Sequence, residues 1–136
     1  MAYWLMKSEP SAWSWQDQVR KGVEPWNGVR NFQAAANMKA MRLGDQAFFY
    51  HSVQEKRIVG IVEVVREYHS DPTDDSGRFG MVEVAAVEPL ARPVCLAEIK
   101  AEPRLAHLAL LRQSRLSVLP IDTGAWDLIR RMGGLA

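Results

Sequence analysis

One cysteine, three histidines and a net charge of +1 leave this 136-residue chain short of the groups that much protein chemistry depends on. Cys95 cannot form an internal disulfide by itself, so a reducing, cytoplasmic or nuclear compartment is expected, with cytoplasmic preferred. His51, His69 and His107 do not stand at metal-ligand spacing, and no CxxC, HExxH or GxxxxGK[ST] run is present; neither a metal nor a cofactor is expected. The apolar runs at 58–65 and 105–111 are too short and interrupted to span a bilayer, which disfavours a membrane partner. The balanced charge excludes a broad positive field, so any contact with nucleic acid must be compact. Without internal repeats, low-complexity tracts or a Gly/Ser/Pro linker, the chain reads as one domain over 1–136, large enough to close a hydrophobic core.

What is present concentrates at WNGVRN, where Trp26, Asn27, Gly28, Val29, Arg30 and Asn31 stand immediately before a helical pattern. The indole offers a face for stacking, Gly28 permits close approach to the backbone, and Asn27, Arg30 and Asn31 supply donors and acceptors suited to base edges. Taken alone, Trp26 reads more readily as a packing residue, since most tryptophans are. Asn31 can cap the following helix, whose free amides and positive dipole end suit an anionic or carbonyl-rich ligand.

Around this loop the pattern predicts a first strand at 3–7, then a short helix opened by the capping pair Ser14 and Asp17 and stopped at Gly22. A second helix carries Ala34, Ala35, Met38 and Met41 on one face and ends at Gly44. Strands follow at 47–52 and 58–68, the latter with branched residues at both parities and a bulge or bend at Gly60. The turn-rich run 70–77 leads to an alternating strand at 81–86 and would be a solvated turn, with Asp71, Asp74 and Asp75 not spaced as a calcium loop. After Pro89 and Pro93 come helices at 96–100 and 103–112, a strand at 116–119 and a final helix at 126–132. Strands in runs predict an α+β fold with a small, mixed, mainly antiparallel barrel and flanking helices.

Lys7 and Ser8 end the first strand, and Arg115 opens a later one, where side chains escape the core. Alternation along 49–52 sends Tyr50 and Ser52 to one side and Phe49 and His51 to the other; His51 reads equally as a pocket group or as a structural partner of the backbone. Cys95 reads as a small buried hydrophobe.

In order, YWLMKSEP, WNGVRN, GDQAFFYHS, IVGIVEVV and RQSRLSVLPI resemble the EVE-domain family across almost the whole chain. The resemblance implies a PUA-like fold and a pocket for a modified base in DNA or RNA, with no established catalytic residues. It makes Trp26 an aromatic wall, Lys7 and Ser8 contributors from the first strand, Arg30 or Asn31 readers of polar edges, and Tyr50, Ser52 and Arg115 the rim. Asn27 and Phe32 stand where relatives often carry aspartate and tyrosine, removing a charge and a hydroxyl. The short connection to Phe79 leaves open whether that ring forms another wall. Single-stranded or distorted nucleic acid is the expected partner. An enzyme using Lys7, Tyr50 or His51 for proton transfer, and a protein-interaction module, are the alternatives; oligomeric state is not legible.

Overall fold

The computed structural model describes residues 1–135. In chain order the elements are β1 (Tyr3–Ser8), α1 (Trp15–Lys21), β2 (Val23–Pro25), α2 (Phe32–Ala40), β3 (Gln46–His51), β4 (Arg57–Ser70), β5 (Gly80–Cys95), α3 (Leu96–Ala101), a 3-10 turn (Pro103–Leu105), α4 (Ala109–Arg112), β6 (Val118–Ile121) and α5 (Thr123–Met132). Six strands form one sheet in the order β2-β5-β4-β3-β1-β6. Only the β1–β3 pair is parallel, so the fold is α+β with a mixed, mainly antiparallel sheet, as expected. Its end strands β2 and β6 are not paired to each other; the sheet is open rather than a closed barrel.

Consecutive residues of β3 explain the two layers. Side chains alternate across a strand, so Phe48 and Phe49 serve opposite faces. Phe48 stacks on Trp126 of α5 at 4.0 Å between ring centroids, and Trp126 stacks in turn on Tyr3 at 4.4 Å. Phe49 takes the edges of Trp15 and Trp26 at 5.4 and 5.7 Å. Gly60 shows why β4 bends: a Cβ there would lie 2.6 Å from the Trp15 ring, and the β4–β5 register shifts between Ile58 and Gly60.

Local signals account for much of the helix geometry. Ser14 and Asp17 form the reciprocal cap of α1, Gly22 ends that helix, and the Asn31 side chain accepts from Ala34 N–H at 2.9 Å to start α2. Helix α2 stops at Ala40 with Met41 as its cap; Gly44, at φ +87°, makes the turn beyond it. Three further boundaries depart from the expected ones. Strand β5 continues through Pro89 and Pro93 to Cys95, because β2 pairs only with Glu83–Ala85 and leaves the rest of β5 without a second neighbour, where missing N–H groups are tolerated. The helix expected at 103–112 breaks at Leu108, whose extended backbone and buried side chain separate the 3-10 turn from α4. The last strand lies two residues later than expected, on the sheet edge, with Pro120 opposite Trp4.

Candidate functional site

A cavity of about 450 Å³ opens between the end of β1 and the loop that joins β2 to α2. Eight residues singled out from the sequence meet there: Lys7 and Ser8 from β1, and Trp26, Asn27, Gly28, Val29, Arg30 and Asn31 from the loop. Trp26 is only 8% exposed, so it is both a core residue packed edge-on to Phe49 and a wall of the cavity. Its N–H donates to Val82 O at 2.8 Å, tying the loop's first residue to β5.

The rest of the loop is clamped from a distance by Asp71. Its Oδ2 accepts from Gly28 N–H at 2.8 Å and from Arg30 Nη1 at 3.1 Å, while Oδ1 accepts from the N–H and hydroxyl of Thr73 at 2.8 and 2.6 Å. Arg30 also donates to Thr73 Oγ1 and lies 5.8 Å from the Phe79 ring centroid. Burial strongly opposes ionisation of Asp71, but the combined donors of Thr73, Gly28 and Arg30 outweigh it and hold the carboxyl at about 2. The buried Asp71 and its partner Thr73 are thus part of the site's framework, and within the 70–77 run the bonds of Ser76 to Asp74 are those of an ordinary turn. Gly28 is required for its φ of +81°; a Cβ there would meet nothing within 4 Å, so close approach by the surrounding protein is not the reason.

A second aromatic wall has no signal in the sequence pattern. Trp13 lines the same cavity, its indole N–H donating to Gln18 Oε1 at 2.9 Å. Gln18 is fully buried and donates to Gly22 O and Val84 O, so α1, β5 and the Trp13 ring share one amide. Ser8 Oγ donates to Trp13 O at 2.6 Å, which spends its proton on holding this loop. Lys21 pairs with Glu24 and sits 5.7 Å from the Trp13 ring centroid. Glu9 and Glu24 add carboxylates to the cavity lining. Trp13 lies before the cap of α1, outside any periodic pattern; only its neighbour Ser14, a legible cap, marks the segment as a loop ending at a helix.

Tyr50, Ser52 and Arg115 line a different cavity, of about 540 Å³, which shares Lys7 and Ser117 with the first. Lys7 donates from Nζ to Ser114 O at 2.9 Å and lies 5.8 Å from the Tyr50 ring centroid; burial lowers its pKa and raises that of Tyr50. His51 lines neither cavity. Its Nε2 accepts from Trp15 N–H at 3.0 Å and its Nδ1 lies 2.8 Å from Glu55 Oε1, so the imidazole joins β3, α1 and the following turn. Phe79 does not line the first cavity either; it packs against Phe32 at 5.0 Å.

The EVE domain family matches over residues 2–132. The chain belongs to the EVE domain family. Human thymocyte nuclear protein 1 is 30% identical over 167 residues, covering 94% of this chain and 72% of that protein. A solved structure of a Rhodopseudomonas palustris protein is 57% identical with a TM-score of 0.94, covering 98% of this chain and 94% of the other. The human protein, solved in complex with DNA containing 5-methylcytosine, superposes with a TM-score of 0.89 at 29% identity, covering 100% of this EVE domain and 99% of its own chain. A YTH domain from Zygosaccharomyces rouxii, at 15% identity and a TM-score of 0.59 over 97% of this chain and 86% of its own, shares the fold. With the EVE family match and the superposition on the human relative, the α+β architecture is PUA-like.

Proposed function

We propose that this EVE domain recognises a modified nucleobase in DNA or RNA by admitting it to the 450 Å³ cavity beside Trp26 and Trp13. The carrying observation is that cavity: it is lined by two tryptophans, by side chains that donate hydrogen bonds and carboxylates that accept them, and by a loop that Asp71 fixes through Gly28 and Arg30. Its volume suits a small planar ligand. The human relative's complex with 5-methylcytosine-containing DNA supports the same reading.

In this reading the indoles contact the base face, and Asn27, Arg30 and Asn31 meet its polar edge. Glu9 and Glu24 would accept from an exocyclic amino group, the edge that cytosine and adenine present. Stacking contributes roughly 1–3 kcal/mol per base, while extruding one from a duplex costs a few kcal/mol. Single-stranded or distorted nucleic acid is therefore the preferred partner. Asn31 contributes its amide nitrogen, because its oxygen is committed to the cap of α2. The engagement of His51 by Trp15 and Glu55 weighs against its use in proton transfer.

Among the described residues, no helix is long and apolar enough to cross a membrane. A cytoplasmic location for this chain is part of the proposal and rests on its single cysteine.

The test is titration with matched single strands containing cytosine or 5-methylcytosine, and adenine or N6-methyladenine. One buried methyl contributes about 0.8 kcal/mol, so a preference of about fourfold is expected for the accepted modification. Trp13→Ala and Trp26→Phe should each weaken binding, the latter chosen because Trp26 is also a core residue. Equal affinities for every strand would overturn the reading.

A further inference from the structure

The second cavity differs from the first in its charge. Lys7 of β1, Lys56 of the β3–β4 turn, Lys100 of α3 and Arg115 of the α4–β6 connection converge on it from four separate elements, with no Asp or Glu in its lining. Lys56, Lys100 and Arg115 are exposed and make no ion pair among the described residues. By contrast Arg20, Lys21, Arg30, Arg57, Arg66 and Arg104 each have a carboxylate partner. A chain with a net charge of only +1 has thus left several positive charges uncompensated at one concavity.

The backbone also holds this arrangement at a cost. Lys56 has φ +50°, a left-handed conformation unusual for a residue with a side chain, and its carbonyl accepts from Leu96 N–H at 2.8 Å. That bond fastens the lysine-bearing turn to the start of α3, the helix that carries Lys100. Lys7 and Ser117 form the shared wall with the base-sized cavity, and Arg115 also lines a smaller hollow that reaches Asn31 with Arg112. The cationic surface therefore begins beside the first cavity.

We propose that the 540 Å³ cavity is a phosphate-binding groove for the nucleic-acid backbone next to the recognised base. Tyr50, Ser52 and Arg115 then serve the strand rather than the base, and the ligand class is an oligonucleotide rather than a free base or nucleoside. This inference rests on the base-reading role of the first cavity. It reconciles a nearly neutral protein with a polyanionic ligand: a few convergent cations replace a broad field.

The experiment measures the affinity of the whole chain for matched modified and unmodified single strands, in DNA and RNA forms, over a series of salt concentrations. Free 5-methyldeoxycytidine and N6-methyladenosine are measured alongside. Lys56→Gln/Lys100→Gln is compared with Lys39→Gln/Arg131→Gln, which removes the same charge from exposed positions outside both cavities. Each lost single-strand phosphate contact should lower the salt slope by about 0.7, roughly fivefold in affinity per contact at 0.1 M salt. Only the groove variant should show that loss, while nucleoside binding stays unchanged in both variants.

Equal salt slopes in the wild type and the groove variant, or an equal loss in the distal variant, would overturn the groove. If the slopes change as expected but modified and unmodified strands bind alike, the base-reading role fails and the groove becomes a general strand contact. The tighter of the DNA and RNA arms identifies the sugar.

Discussion

A carboxylate more than forty residues away in sequence decides how the WNGVRN loop is held. Asp71 receives the Gly28 N–H and the Arg30 guanidinium while remaining buried, so its charge is useful only while those donors surround it. Its pKa of about 2 lies below the ordinary 3.8. The charge therefore contributes stability that is fully present above about pH 4 and is lost as pH falls through 2, a difference of about 2 kcal/mol. Asp71→Asn should cost about that amount at pH 7, and the gap from the wild type should shrink as pH approaches 2. Urea denaturation at several pH values measures it, and a gap independent of pH would rule out the ionic clamp. Because the same substitution loosens Gly28 and Arg30, binding at the first cavity should weaken even where the variant remains fully folded.

At the scale of elements, Gly60 is the most demanding position in the sheet. A methyl group there would overlap the six-membered ring of Trp15, which is itself wedged against Phe49. Gly60→Ala should destabilise the chain by about 1–3 kcal/mol and alter the near-ultraviolet circular dichroism of the tryptophans; an unchanged spectrum and unfolding midpoint would show that the ring moves aside freely. This bend was legible because a glycine inside a run of branched residues weakens a strand unless a bulge, a bend or a close neighbour requires it. The caps at Ser14 and Asn31 were legible too, since their partners lie three residues away. Strand β2 was not, because three residues carry no period, and the length of β5 was hidden by prolines whose tolerance depends on which neighbour is missing. The same division runs through the site. The WNGVRN side of the cavity is contiguous and could be read, whereas Trp13 and Asp71 join it through contacts whose sequence positions hold no local signature. His51 was placed on the correct strand, but its engagement with Trp15 and Glu55 depends on how the elements pack.

Across the whole molecule the sheet separates the site from much of what stabilises it. Trp126 is 2% exposed and stacks between Tyr3 and Phe48, on the face opposite the one where Phe49 meets Trp15 and Trp26. Removing its ring takes away packing without touching either cavity lining. Trp126→Ala should therefore cost about 3–5 kcal/mol and lower the melting temperature by on the order of 10–20 °C. Held well below that lowered midpoint, the variant should keep the wild-type ratio of affinities for modified and unmodified strands. Trp26→Phe should do the reverse, because the smaller ring retains much of the packing on Phe49 but changes the cavity wall. Thermal unfolding and strand titration on the two variants together test this separation. If Trp126→Ala abolished discrimination while folded, the two layers would have to be coupled through the sheet, and the clamp around Asp71 would not be sufficient to hold the loop in place.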